Sequence, residues 1–235
     1  MAKLKRLLAP QFWKIPKKIR KWTVSPSPGP HKKFECIPLL ILVRDILKLA
    51  ETGKEAKSLI KKGEIWVDGK PRKDHAYPAG LMDVVSIPKL NKNYRITVSE
   101  KGLELIEIPE EESKLKLLRI KGKRVVKKGK IQLNFHDGKN LLVEENVYKT
   151  GDSLLVELPS LKIIQHLKLE KNVCGLVLKG KNAGKIGKVI EIIIPRNEPR
   201  KIICEIEGKK AEVLFDYFFV VGKEAPVIKL GEKIE

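Results

Sequence analysis

The first 34 residues carry ten Lys and Arg side chains and no carboxylate: Lys3, Lys5, Arg6, Lys14, Lys17, Lys18, Arg20, Lys21, Lys32 and Lys33 precede the first acid, Glu35. This stretch supplies half of the chain's formal charge of +20. Like charges repel, and so one-sided a block has few apolar residues for a core of its own. The expectation is an extended tail, mobile to about Lys33 when free, that needs a polyanion to lie on. Phe12, Trp13 and Trp22 stand among the cations, and Ser25-Pro26-Ser27-Pro28-Gly29-Pro30-His31-Lys32 follows them. Prolines hold a backbone extended, and aromatic rings stack on bases. A solubilising tail and a membrane-surface segment are the competing readings. The prolines forbid a long amphipathic helix, which makes nucleic acid the better partner.

With 235 residues the chain can bury real cores in one or two domains. Aromatics at 6% and charged residues at 33% suit small β-rich modules with charged surfaces. Cys36, Cys174 and Cys204 are far apart and form no CxxC pair, and His31, His75, His136 and His166 are equally scattered. That spacing predicts neither a zinc cage nor a disulfide framework, and no metal or cofactor. Cys174 and Cys204 lie in apolar runs and read as small core residues in a reducing interior. Leu7-Leu8-Ala9 is stopped by Pro10, and Leu39–Val43 falls far short of the roughly 20 residues of a spanning helix. A soluble, cytoplasmic chain is expected. Scarce Gln beside abundant Lys, Glu and Ile leans towards a thermophile, with an A/T-rich genome as the alternative source of that bias.

After Pro38, the residues Leu39, Leu40, Val43, Ile46 and Leu47 recur at helical spacing. Thr52-x-x-Glu55 is a capping-box pattern for a second helix with Ala56, Leu59 and Ile60 on its apolar face and Gly63 as its stop. Lys54, Lys57 and Lys61 then share a face; alone, such a stripe is more often simply solvated. Ile65-Trp66-Val67, the tight dipeptide Asp68-Gly69 and Lys70-Pro71-Arg72 predict a hairpin, and Val84–Ile87 a further strand. Pro109 with Glu110, Glu111 and Glu112 reads as the first turn of a short helix. Ile131, Leu133 and Phe135 alternate before Asp137-Gly138, and Leu154, Val156 and Leu158 alternate after Gly151-Asp152. From Val173 onward, short alternating strands with glycine turns imply a closed five-stranded SH3-like barrel.

The most specific pattern runs from Val177 through Lys179, Gly180, Lys181, Asn182, Gly184, Lys185, Gly187 and Lys188 to Val189. Glycines let backbone N–H groups approach phosphate while lysines add charge. A phosphate-binding P-loop would need Gly-Lys followed by Ser or Thr and a helix, whereas Ile186 and a strand follow here. A plain β-turn with solvated lysines is the alternative. The loop resembles the KOW motif of ribosomal proteins and transcription elongation factors. The two-helix module resembles the S-four-type RNA-binding domain. That resemblance runs from Arg44-Asp45-Ile46-Leu47 through Leu59–Gly69 to Asp83–Ile87, with Thr52-Gly53-Lys54 and Met82-Asp83 departing from its usual residues.

Taken in order, the tail, this module with Tyr77–Asp83, a β-rich middle and a KOW region resemble the archaeal and eukaryotic small-subunit ribosomal protein S-four-e family over essentially the whole chain. The resemblance implies a non-catalytic protein bound to small-subunit rRNA, towards its five-prime domain, among neighbouring ribosomal proteins. The fold class expected is α+β and multidomain. A basic extended tail covers residues 1–37, an αα-β RNA-binding module 38–93, a central antiparallel β domain 94–172 and an SH3-like KOW barrel 173–235. The expected RNA contacts are the ten tail cations with Trp13, Trp22 and His31, then Arg44, Lys54, Lys57, Lys61, Arg72 and Lys73, then Lys179, Lys181, Asn182, Gly184, Lys185 and Lys188. No catalytic residue is expected: Asp74-His75 and His136-Asp137 lack a nucleophile motif, and Arg44-Asp45 sits inside a helix. Neither a membrane, a small-molecule substrate nor a homo-oligomer is expected as partner. A dissociable KOW-containing factor of transcription or ribosome maturation is the rival function.

Overall fold

The basic segment folds onto the protein. In the computed structural model, which describes residues 3–126, 129–196 and 198–231, strand β1 (Lys3–Lys5) pairs antiparallel with β2 (Trp22–Val24), Lys5 standing opposite Trp22. Leu4, Ala9 and Ile15 are buried, and Trp13 is completely so, its indole Nε1 donating to the Cys36 carbonyl at 2.8 Å. Two expectations are corrected here: the segment is not a free extended tail, and Trp13 is a core residue rather than a ring offered to bases. The cause is the interleaving of apolar residues with the cations. Leu4, Ala9, Trp13 and Ile15 face the protein while most of the described lysines, with Leu7, Leu8 and Ile19, stay in water, so the lysines never crowd into a core. Burying one Trp removes on the order of 150–250 Å² of surface from water.

Strand β3 (Cys36–Pro38) leads into the helical turn α1 (Leu39–Ile41), which widens into a π turn over Leu42–Ile46, where the Leu47 N–H donates to the Leu42 carbonyl. Leu39, Leu40 and Val43 are buried, as their spacing predicts. Helix α2 (Gly53–Lys61) opens on the expected capping box. The Glu55 N–H donates to Thr52 Oγ1 at 3.2 Å and the Thr52 N–H donates to Glu55 Oε2 at 3.4 Å. The helix stops at Gly63, whose φ of +77° suits glycine. Strands β4 (Trp66–Val67) and β5 (Lys70–Pro71) form the predicted hairpin, with Asp68 and Gly69 at φ +52° and +71°.

Strand β6 (Pro78–Gly80) pairs with β3. β7 (Val84–Ile87), β8 (Lys92–Ser99) and β9 (Gly102–Ile108) complete a sheet of order β5-β4-β7-β8-β9. The short helix α3 (Glu110–Ser113) carries the three glutamates in its first turn, and Glu112 does more than meet a helix end. Its carboxylate reaches the completely buried Arg95 guanidinium at 2.7 Å, where burial draws the arginine's pKa down and Glu112 draws it back up.

Residues 3–97 with 101–114 form one compact unit, and residues 98–100 with 115–231 a second. In the second, β10 (Leu115–Val125), β11 (Ile131–Phe135), β12 (Asn140–Val143), β13 (Ser153–Glu157) and β14 (Lys162–Leu167) build a sheet of order β12-β11-β10-β13-β14. Leu118, Ile120, Leu133, Phe135, Leu154 and Val156 form its core. β15 (Cys174–Val177), β16 (Ile186–Ile193), β17 (Lys201–Ile206), β18 (Lys209–Leu214) and β19 (Phe218–Gly222) build another, of order β18-β17-β16-β15-β19. The Arg119 fork from β10 ties the two sheets, donating to the Phe215 carbonyl at 2.8 Å and the Asp216 carbonyl at 2.9 Å. The described architecture is mostly β, in several sheets, with few helices.

Candidate nucleic-acid interface

The pairing of β1 with β2 decides where the N-terminal cations stand. It sets Lys5 beside Trp22, and the Arg6 N–H donates to the Lys21 carbonyl at 3.0 Å. Lys5, Lys14, Lys18, Arg20, Lys21, Trp22, Lys32 and Lys33 are exposed and Lys17 is half-buried, while the Lys3 side chain lies outside the described ones. The Lys21 ammonium stands 5.5 Å from the centre of the Trp22 ring. Lys14 is partly neutralised by Glu104 at 2.9 Å. Two predicted contacts turn inward instead. His31 packs against Gly80, where an added Cβ would collide with the imidazole, and its Nε2 meets Asp83 Oδ2 at 3.0 Å. Arg6 is only 5% exposed. Its Nε donates to the Pro16 carbonyl.

Arg6, Arg20 and Arg44 converge on two neighbouring clefts, of about 380 and 450 Å³. Arg44 grips Asp45, its Nη2 lying 2.7 Å from Oδ2. Trp22 and Lys57 line the smaller cleft, and Lys48 lines the larger. Burial lowers the Arg6 pKa, Asp45 raises it, and Arg44 and Arg20 lower it again. Lys48 and His75 are cleft residues that the sequence reading missed. Nothing local marks them, because residues from five separate stretches of chain meet there only through tertiary pairing.

Along α2, Lys54, Lys57 and Lys61 are exposed and Ala56 and Ile60 are buried, so the helix presents the expected basic face to water. Lys73 is exposed, whereas the half-buried Arg72 guanidinium sits 4.5 Å from the centre of the Tyr77 ring.

In the second unit the loop between β15 and β16 exposes Lys179, Gly180 and Lys181, with Lys188 exposed on β16 and Asn182 half-buried. Gly180 has φ +96° and open space where a Cβ would be. Gly184, at φ +82°, is different: an added Cβ would lie 2.7 Å from the Ser99 Cα. A close approach to protein backbone thus already requires this glycine. Lys185 donates to Glu207 at 2.8 Å, and that hydrogen bond raises the lysine's pKa. Much of its charge is therefore already answered. Among the described residues no helix is long and apolar enough to cross a membrane.

Comparison with known proteins finds matches along the whole chain. The family model described as RS4NT (NUC023) domain matches residues 2–34, that of the S4 domain residues 38–85, and that of the Ribosomal family S4e residues 90–163. Small ribosomal subunit protein eS4 of Archaeoglobus fulgidus is 49% identical over 231 residues, covering 97% of each chain. The protein of the same name from Korarchaeum cryptofilum is 47% identical, over 97% of this chain and 96% of its own. The crystal structure of the 30S ribosomal protein S4e from Thermoplasma acidophilum superposes with a TM-score of 0.70 at 26% identity, covering 80% of this chain and 96% of that one. The chain belongs to the small ribosomal subunit protein eS4 family.

Proposed function

We propose that the chain is a structural, non-enzymatic constituent of the small ribosomal subunit in the cytoplasm, where it binds and organises small-subunit rRNA towards the five-prime domain. The observation that carries this is the folded basic segment. Lys5, Lys14, Lys18, Lys21, Lys32 and Lys33, with Arg20 and Trp22, stay exposed while Leu4, Ala9, Trp13 and Ile15 anchor the segment, so a charged surface is held ready for phosphate. The basic face of α2 and the lysines of the loop at 179–188 would add further contacts. In this reading residues 1–37 form the basic rRNA-binding segment, 38–93 the S4-type module, 94–172 a central β domain, and 173–235 an SH3-like barrel of KOW type. The sheet order β18-β17-β16-β15-β19 around the glycine-rich loop supports that last assignment. Neighbouring ribosomal proteins would be its protein partners. Binding of the pure chain to small-subunit rRNA at increasing salt tests the proposal. With 6–10 phosphate contacts, affinity should drop about 10³–10⁵-fold between 50 and 200 mM salt. An affinity that ignores salt would reject it.

A further inference from the structure

Arg6 is a buried cation aimed at an open space. It is 5% exposed, its Nε is taken by the Pro16 carbonyl, and its two terminal nitrogens make no hydrogen bond within the described residues. Arg6 lines both clefts, where an entering anion can meet it. The smaller cleft, at about 380 Å³, falls within the roughly 300–1,000 Å³ of small-ligand sites. Its charge is one-sided: Arg6, Arg20, Arg44 and Lys57 line it, and Asp45, gripped by Arg44, is the carboxylate set against them. Arg20 and the terminal nitrogens of Arg6 can donate to a phosphate there, while the Arg44 fork holds Asp45 and adds charge beside them. Trp22, which is 42% exposed, Pro26 and Pro28 also line the cleft and add apolar surface. A phosphate next to an aromatic platform is the chemistry of a nucleotide rather than of a phosphorylated peptide.

We propose that this cleft takes one nucleotide turned out of an RNA strand, with its phosphate between Arg6, Arg20 and Arg44 and its base on Trp22. The proposal rests on the RNA-binding reading above and makes part of that binding a matter of shape as well as charge. An extruded base costs unstacking, so the cleft favours loops and bulges over continuous duplex.

The test titrates the full chain at low salt with a single-stranded oligoribonucleotide, AMP and inorganic phosphate, reading tryptophan emission and affinity. The oligonucleotide and AMP should quench Trp22 emission, and phosphate should compete with both without quenching. Trp22→Leu should weaken oligonucleotide binding about 5- to 150-fold, and Trp22→Phe, which keeps a ring, should restore most of it. Arg20→Gln, at an exposed position, should weaken it about tenfold or more. Lys18→Gln, outside the clefts, should weaken binding less than either and lower the salt slope by about one unit or less. If Trp22→Leu and Arg20→Gln bind like Lys18→Gln, the cleft takes no nucleotide while the RNA-binding reading stands. If phosphate binds through Arg20 but RNA leaves Trp22 emission unchanged, the cleft is an anion site only and the proposal is wrong. Absence of any oligonucleotide binding would overturn both.

Discussion

Gly184 lies so close to Ser99 that a Cβ on it would stand 2.7 Å from the Ser99 Cα and 2.8 Å from the Ser99 carbonyl carbon. Its φ of +82° independently excludes branched side chains. Gly184→Val should therefore destabilise the protein by about 2–5 kcal/mol, combining backbone strain with overpacking. Gly180→Ala meets open space and should cost only about 1–2 kcal/mol of conformational strain. Urea unfolding of the two variants checks this, and equal midpoints would contradict it. RNA-binding losses in Gly184→Val then report a damaged fold, so Gly180 is the fair position at which to probe the loop.

Trp13 anchors the basic segment, and Trp13→Ala should cost about 3–5 kcal/mol. Trypsin should spare the bonds after Lys14, Lys17 and Lys18 in the free parent protein and cut them readily in the variant. Rapid loss of the first 30 or so residues from the free parent would mean that the segment folds only on RNA.

These two residues show where sequence reasoning stops. Signals carried within a few residues held: the Thr52/Glu55 capping box, the Asp68-Gly69 hairpin and the alternation of Ile131, Leu133 and Phe135 all appear as read. Partners distant in the chain did not announce themselves. Trp13 looked like an interaction ring because its acceptor, the Cys36 carbonyl, lies 23 residues on. Glu112 looked like a helix-end charge because Arg95 sits on another strand. Gly184 fits a loop motif and also a contact with Ser99, and only the second is a constraint imposed by this fold. The convergence of Arg6, Arg20 and Arg44 was legible as charge, yet not as a site.

Asp137 should make the second unit acid-sensitive. Burial by itself would raise its pKa, but Lys116, His136 and Lys139 outweigh burial and hold it well below the usual carboxylate range. A depressed folded pKa stabilises the protein above the unfolded value near 3.8 and is lost as pH falls through the folded one. Stability should thus be level down to about pH 4 and fall below it. Asp137→Asn should flatten that fall. At pH 7 it should cost about 3–5 kcal/mol, because the completely buried Lys116 ammonium 3.0 Å away loses a countercharge. Chemical denaturation at several pH values reads both effects, and an unaltered acid limb in the variant would refute the assignment.

The cysteines should be inert in the folded chain. All three are free and buried; burial, with Asp83 and Glu35, pushes the Cys36 thiol up to about 12, and burial also raises Cys204. A thiol reagent at pH 8 should leave Cys36 and Cys204 unmodified until denaturant is added. Fast labelling of Cys36 under native conditions would show that β3 opens easily.

Sedimentation of a cell extract through a sucrose gradient, with this chain detected in each fraction, tests the central claim most directly. A resident constituent of the small subunit should travel with the small-subunit rRNA and remain there through moderate salt. Recovery at the top of the gradient at that salt, free of rRNA, would contradict the account and identify a dissociable factor instead.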